Sequence, residues 1–443
     1  MSFRENLVRA RSHIVFLVAL VLGLTLVIWL EGLGDMQKTT ETKTAPNPMD
    51  RFEAITPLPL AVVGKSSDKD LEQARIAWTY FQNNVDPDSG LVNSANSYPS
   101  TTMWETGSYF VAVLSAERLG LIDAAEAEAR LSKALESLVK LRLFDGTLPN
   151  KAYHTRTLEL VDYSNKPSEL GLGWSALDVA RIVATFGLIE RNHPTLAPAI
   201  EAILARWQLD KMVVDGELMG TNIVDGKIRP NQEGRVGYEQ YAAKGMMLFG
   251  YDVWRAYDVE GNLMAPDVEG IPVPVDTRLH RATTPAFVVS EPYLFDGLEF
   301  GFDARSRRFA TAVYQAQEAR FRETGKLTAV SEGHLDSAPY FAYATIWGGG
   351  SPWAVLSFKG ERMDDRRTIS TKAAFGWNAL FGTEYTAKLV EDLEVAADPE
   401  KGWAEGIYES SGELNGSITA NTNAVVLAAL SFRAHGALIR PLP

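Results

Sequence analysis

From residue 71 onward, apolar positions recur three and four residues apart. In LEQARIAWTYFQNN (71–84), Leu71, Ala74, Trp78 and Phe81 form one stripe, the pattern of a helix that buries a single face. TGSYFVAVLSAERLG (106–120) runs the same way and stops at Gly120, a residue that ends helices because it accepts left-handed backbone. The theme returns in AEAEARLSKALESLVKL, ALDVARIVATFGLIE, TLAPAIEAILARW, YEQYAAKGMMLFGYDV and RRFATAVYQAQEARFRETG. It continues in TISTKAAFGWNALFG, EYTAKLVEDLEVA and NTNAVVLAALSFRAHG. About ten helices are therefore expected, with turn chemistry between most of them.

Shorter β-rich pieces interrupt the helices. MVVDGELMGTNIVDGKIRP turns at two Asp-Gly pairs, which predicts a hairpin. TPAFVVSEPYLF, KLTAVSEGH and PYFAYATIW bring aromatic residues close to carboxylates. Antiparallel helix pairs with decorated loops predict an all-α-dominated α/α toroid carrying β-hairpin decorations. One end of such a ring collects loops into a cleft, and function concentrates there. No period of about 34–45 residues supports a helical solenoid instead.

The N-terminus follows another pattern. Residues 14–30, IVFLVALVLGLTLVIWL, carry no charge and follow Arg4, Arg9 and Arg11. A membrane span needs roughly 17–25 apolar residues, and basic side chains mark the cytoplasmic flank. The run leaves through Trp29, Leu30 and Glu31 without an A-x-A cleavage pattern, so an uncleaved anchor is expected rather than a signal peptide. The expected organisation is a cytoplasmic flank (1–13), a transmembrane helix (14–30), a linker (31–70) and one domain (71–443). Thr, Lys, Pro and Asp crowd the linker, with APNP and TPLPL inside it, as in an extended tether. This topology places the domain in the periplasm on a single-pass inner-membrane anchor.

Composition narrows the chemistry. A net charge of −13 argues against nucleic-acid binding, which favours basic surfaces. With no cysteine in the chain, thiolate catalysis and disulfides are excluded. The six histidines at 13, 154, 193, 280, 334 and 435 show no H-E-x-x-H spacing, and neither metal nor cofactor is expected. Ten Trp, 15 Tyr and 19 Phe supply flat faces that suit both core packing and stacking on sugar rings.

Several carboxylates lie among aromatics and small residues, unlike those of a solvated charged face. Glu105 lies beside Trp104 and Tyr109, where a helix starts. Asp178 interrupts an apolar helix, with Arg181 three residues on as an available partner. Glu239 lies between Tyr238 and Tyr241. Glu291, Asp296 and Glu299 share VSEPYLFDGLEFG, and Glu332 and Asp336 share SEGHLDSAPYF. Glu405 and Glu409 flank Tyr408 four apart, on one face if that stretch is helical. Glycosidic hydrolysis needs one protonated carboxyl for the leaving oxygen and a second carboxylate as base or nucleophile. Aromatic walls raise the acid's pKa by excluding water.

The same segments carry a resemblance. TTMWETGSYF, GWSALDVA, GYEQYAAKG, SEPYLFDGLEFG, TGKLTAVSEGHLDSAPYFAY, STKAAFGW, GWAEGIYE and ITANTNAVVL, in that order, resemble a bacterial family of unknown function often called glucoamylase-like. The likeness runs from about residue 71 to 437. More distantly the chain is similar to endo-β-1,2-glucanases and to the glucoamylase-like domains of cyclic-glucan synthases. That resemblance implies an (α/α)6 toroid acting on a glucan or exopolysaccharide by acid/base hydrolysis or transfer. It implies Glu239 as general acid and Asp178 as a site aspartate. Where those relatives carry a Gly-Ile-Asp-Gln run, this chain has ITANTNAV, so Ala420 or Asn421 occupies the acidic position. The second carboxylate is then expected from Asp178, Asp336 or Glu409. Sugar contact is expected from Trp104, Glu105, Tyr238, Tyr241, Glu291, Asp296, Glu332, Trp403, Tyr408, Asn421 and Asn423. The missing Asp supports a second expectation, a non-catalytic factor that binds a nascent polysaccharide or guides it from a membrane synthase.

Overall fold

Side-chain caps explain where most helices begin. Ser67, Thr102, Asp123, Ser175, Asp303, Ser370, Thr383 and Thr419 each accept a backbone N–H of the following first turn, satisfying donors that a helix start leaves unpaired. In the computed structural model, which describes residues 47–278 and 286–440, the helices that build the main body are α1 (Asp68–Asn84), α2 (Met103–Arg118), α3 (Ala124–Lys140), α4 (Ala176–Asn192), α5 (Ala197–Arg206), α6 (Tyr238–Met247), α7 (Glu291–Phe295), α8 (Ala304–Thr324), α9 (Thr371–Phe381), α10 (Glu384–Asp392) and α11 (Ala420–His435). α7 runs on into a π-helical turn, Asp296–Phe300. The expected transmembrane helix and its basic flank lie outside the described residues, and so does the linker as far as residue 46. Among the described residues no helix is long and apolar enough to cross a membrane.

Residues 51–443 form one compact unit and residues 1–50 another. Of the second, only residues 47–50 are described, at the start of a short helix, Pro48–Glu53. In the larger unit α2, α4, α6, α7, α9 and α11 close a ring, each packed on the next and α11 back on α2. α2, α4, α9 and α11 are buried on nearly every side, as helices inside a ring must be. Outer helices back them: α1 on α11, α3 on α2, α5 on α4, α8 on α7 and α10 on α9. α3 is of the one-faced kind, burying Ala127, Leu131, Ala134, Leu135 and Leu138. This is the expected α/α toroid. Gly245 lets α6 approach α4, since a Cβ there would lie 2.6 Å from Ala184 Cβ.

The inner helices run in one direction, so loops that precede them gather at one end of the ring. The expected hairpin is there, as Glu217–Val224 (β1) and Lys227–Gln232 (β2), with Val213–Val214 as a third strand. Both Asp-Gly pairs, 215–216 and 225–226, hold positive φ at each residue, the tight turn that matches strand twist. Glu332–His334 (β3) and Phe341–Ala344 (β4) pair antiparallel. Thr368–Ser370 (β5), Gly402–Tyr408 (β6) and Leu414–Ile418 (β7) form another antiparallel sheet.

Residues 51–67, within the expected tether, run against outer helix α8 and inner helices α9 and α11. Phe52 packs on Phe309 with ring centroids 4.7 Å apart. The Leu58 amide donates to Thr311 Oγ1 at 3.1 Å, and the Ala61 amide donates to the Leu380 carbonyl at 2.8 Å.

Candidate active site

Each inner helix places a functional side chain in its first turn or cap: Glu105 from α2, Asp178 from α4, Tyr238 from α6, Glu291 from α7, Lys372 from α9 and Asn421 from α11. Helix N-termini carry partial positive charge, so six of them at one end favour carboxylates there. Direct bonds tie the turns together. Ser108 Oγ donates to Asn421 Oδ1 at 3.0 Å, and Asn421 Nδ2 donates to Glu291 Oε2 at 2.8 Å. Lys372 Nζ donates to the same oxygen, as the ion pair of a fully buried carboxylate. The other oxygen of Glu291 is buried and has no hydrogen-bond partner.

Asp178 is half-buried between two other carboxylates. Burial, then the Glu105 and Glu233 charges, push its pKa up to about 8, against the Ser175 hydroxyl and Lys151. Glu233 Oε2 accepts from the Ala176 amide at 2.6 Å and from Ser175 Oγ at 3.0 Å, capping α4 from outside. Arg181, the local partner available to Asp178 in sequence, goes elsewhere. It bonds Glu299 at 2.6 Å and the Tyr241 hydroxyl, with its guanidinium 4.3 Å from the Phe295 ring centre.

Glu332 enters from β3. Burial and the Glu291 charge push it up to about 8, although Lys372 opposes this. The Tyr238 hydroxyl lies beside it, short of a well-formed hydrogen bond. His334 alternates onto the same face of the strand. Burial lowers its pKa despite Glu105 and Glu291, so its ring is neutral at pH 7. Burial pulls Lys372 down, but Glu291, Glu405 and Glu332 hold it above its ordinary value. Glu405 lies behind β3: a Cβ on Gly333 would be 2.6 Å from its Oε2. Thr419 and Thr422 donate to its other oxygen at 2.6 and 2.8 Å. Trp104 and Tyr238 meet edge to face at 5.6 Å, and Trp104 also packs on Phe295. The result is an aromatic floor beside two carboxyls that remain protonated near neutrality.

Glu105, Asp178, Tyr238, Glu291, Glu332, Asn421 and Trp104 are thus brought together. The other residues singled out from sequence have partners of their own. Glu239 is buried against Arg278 and accepts from Gln232 Nε2 at 2.9 Å. Burial raises its pKa while Arg278 pulls the other way. Tyr241 belongs to the Arg181–Glu299 pair, and Asp296 holds Lys244 at 2.6 Å. The Trp403 indole donates to the Gln73 carbonyl at 3.0 Å inside the wall, and Asn423 Oδ1 receives the Trp403 amide at 2.8 Å. Tyr408 donates to the exposed Asp336 at 2.8 Å. Glu409 is gripped by Arg320 and Arg367, which lower its pKa against the effect of burial. The stretch around Tyr408 is strand β6 rather than a helix, so Glu405 and Glu409 do not share a helical face.

Sequence reading passed over Lys372, Glu233 and His334. A lysine inside the apolar run KAAFGW was the available signal for the first. Glu233 follows strand β2 in a loop, and His334 ends the three-residue strand β3, too short for a periodicity to speak. Among the described residues no group of three or more His, Asp or Glu side chains is placed to hold a metal ion.

Comparison with known proteins bears on the fold. The sequence profile of a family described as a protein of unknown function (DUF3131) matches residues 72–436. No curated protein matches the chain. Among solved structures, one from Bacteroides caccae, provisionally named a glucoamylase, superposes with a TM-score of 0.62 at 13% identity, over 84% of this chain and 95% of that one. An endo-β-1,2-glucanase from Chitinophaga pinensis, solved with sophorotriose and glucose, gives 0.60 at 10% identity over 84% and 94%. An endo-β-1,2-glucanase from Talaromyces funiculosus, solved with sophorose, gives 0.56 at 11% over 84% and 84%. At these identities the likeness is one of fold.

Proposed function

The chain belongs to the family described as a protein of unknown function (DUF3131), and on that premise we propose that it is a glycoside hydrolase acting on a β-linked glucan. One observation carries the proposal: Asp178 and Glu332 both titrate near 8 at the loop-bearing end of the ring, beside the Trp104–Tyr238 floor. Catalytic carboxyls work best when poised near the operating pH, and strongly shifted carboxyls gather at functional sites. The sugars bound in the two glucanase structures support the substrate class.

In this chemistry the Glu332 carboxylic acid gives its proton to the glycosidic oxygen as the bond to the anomeric carbon breaks. Asp178, ionised, takes a proton from the water whose oxygen attacks that carbon. Glu105 and Glu233 make Asp178 a stronger base by disfavouring its charge. Glu291 does the same for Glu332, so that it holds its proton until the leaving oxygen needs it. The proton gained by Asp178 and the one lost by Glu332 balance over a turnover. Glu239, whose carboxylate faces Arg278, is left to fix the start of α6. Residues 14–30, behind Arg4, Arg9 and Arg11, support an inner-membrane anchor with the ring on the periplasmic side.

Incubation of the full-length chain with linear α- and β-glucans, followed by chromatography of the products, tests this reading. Shorter oligosaccharides should appear from a β-glucan and vanish with Glu332→Gln. Unchanged release by that variant removes Glu332 from the chemistry. The run ITANTNAV, where Ala420 or Asn421 stands in place of the resembling enzymes' acid, supports the second reading of a polysaccharide-binding or assembly factor. Binding without any product would establish that one.

A further inference from the structure

Polar side chains of the β1–β2 hairpin form a hydrogen-bonded row that ends at Asp178. Gly220 lies opposite Asn231 and Asn222 opposite Arg229, and the Glu233 amide extends the ladder to the Leu218 carbonyl at 2.9 Å. Opposed residues share a face, as do residues two apart on one strand, so Asn222, Asn231 and Glu233 stand together. Asn222 Nδ2 donates to Asn231 Oδ1 at 2.6 Å, and Asn231 Nδ2 donates to Glu233 Oε1 at a longer 3.5 Å. Glu233 Oε2 accepts from Ser175 Oγ, which lies 3.1 Å from Asp178 Oδ1. Gly220, on the same face, leaves room for Glu233, since a Cβ there would overlap the carboxylate.

The loop before α4 fixes the hairpin to the site a second time. The Thr221 amide donates to the Trp174 carbonyl at 2.9 Å, and Thr221 Oγ1 accepts the Trp174 amide at 3.0 Å. Lys151, whose amide donates to the Gly173 carbonyl at 2.9 Å, sends Nζ to Asn222 Oδ1 at 2.5 Å. Its charge also reaches Asp178 and opposes the rise in that pKa. Asn222 and Asn231 are half-buried. An amide has two N–H donors, and each of these spends one within the row, so each keeps a second on partly open surface. Glu233 caps α4 through the Ala176 amide at 2.6 Å, a bond that needs neither asparagine.

We propose that Asn222 and Asn231 form a sugar subsite beside Asp178, in which their side-chain amides bind the hydroxyls of a glucosyl unit neighbouring the one attacked. This rests on the hydrolase reading for its occupant. An amide both donates and accepts, so a pair of them can serve adjacent hydroxyls of one ring. Both groups are neutral, which suits a neutral sugar, and Lys151 is engaged in holding Asn222. A subsite tied to the attacking side of the reaction adds affinity only for a chain long enough to fill it. It also sets which bond of that chain lies beside Asp178.

The test compares the full-length chain with Asn222→Ala, Asn231→Ala and the double variant. The probes are linear β-1,2-, β-1,3- and β-1,4-glucan oligosaccharides from disaccharides upward, with affinity read by calorimetry and cleavage by product chromatography across a pH series. Each single substitution should weaken binding of the longer oligosaccharides by about 3–10-fold, and the double by more. The preferred bond of cleavage should move, while the acid limb of the pH profile, set by Asp178, stays in place. Affinity and product pattern equal to the parent's in the double variant overturn the subsite and leave the hydrolase reading standing. A displaced acid limb with unchanged affinity also overturns it, because the asparagines would then act on Asp178 through Glu233. If the parent chain binds these oligosaccharides without cleaving them, the hydrolase reading fails and the affinity comparison alone decides the subsite. If it neither binds nor cleaves any of them, both fail.

Discussion

Asn421 donates to Glu291 Oε2 at 2.8 Å, joining the first turns of α11 and α7 across α9, which sends Lys372 to the same oxygen. Asn421, one of the two positions at which the resemblance would place an acid, is therefore a donor to a buried carboxylate. Asn421→Asp should not raise activity. It sets a second negative charge against Glu291, removes a donor, and should cost about 2–3 kcal/mol of stability. The urea midpoint measures the loss, and a gain in turnover would show that an acid at this position is compatible with the site.

Lys372 is the cation that makes a fully buried Glu291 tolerable. Lys372→Met leaves that carboxylate uncompensated and should cost about 3–5 kcal/mol. Adding Glu291→Leu should recover most of the loss, since a buried pair contributes little beyond its apolar replacement. Thermal unfolding of the single and double variants checks both steps.

The proposed roles give the pH profile a definite shape. Asp178 must be ionised and Glu332 protonated, and both titrate at about 8. Turnover should peak near pH 8, falling on the acid side as Asp178 gains its proton and on the alkaline side as Glu332 loses its own. Glu332→Gln should lower the rate by about 10²–10⁴-fold and abolish the alkaline limb. A profile flat from pH 6 to pH 10 would contradict both assignments.

The same shifts tax stability. A carboxyl whose pKa is raised on folding contributes its full share below its unfolded pKa of about 4, and the contribution is lost as pH rises through the folded value near 8. Asp178→Asn should leave stability at pH 4 nearly unchanged and raise it at pH 8 by ~1–3 kcal/mol, the half-buried position reducing the full linkage figure. Glu409 behaves oppositely. Arg320 and Arg367 lower its pKa, so its contribution is present above about pH 4 and disappears below.

How much of this was legible in the sequence depended on distance along the chain. Helices were legible because the spacing of Leu71, Ala74, Trp78 and Phe81 is a local signal, and so were the two Asp-Gly turns. Partners were not. Asp178 and Arg181 have the spacing of a helical pair, yet Arg181 reaches Glu299 on α7, while Asp178 faces Glu105 and Glu233. Glu405 and Glu409 have the spacing of one helical face, but the glycines around them allowed a loop as well, and the stretch is strand β6. Aromatic neighbours did mark Glu105, Tyr238 and Glu332. The same context also marked Trp403, whose ring serves the wall.

Infrared difference spectra of the full-length chain, taken from pH 6 to pH 10, reach the central claim without needing a substrate. Protonated carboxyl bands should persist above pH 6.5 and titrate near 8, with one component missing in Asp178→Asn and another in Glu332→Gln. If the parent chain and both variants give the same spectra, with no protonated carboxyl surviving above pH 6, the poised pair of acids does not exist.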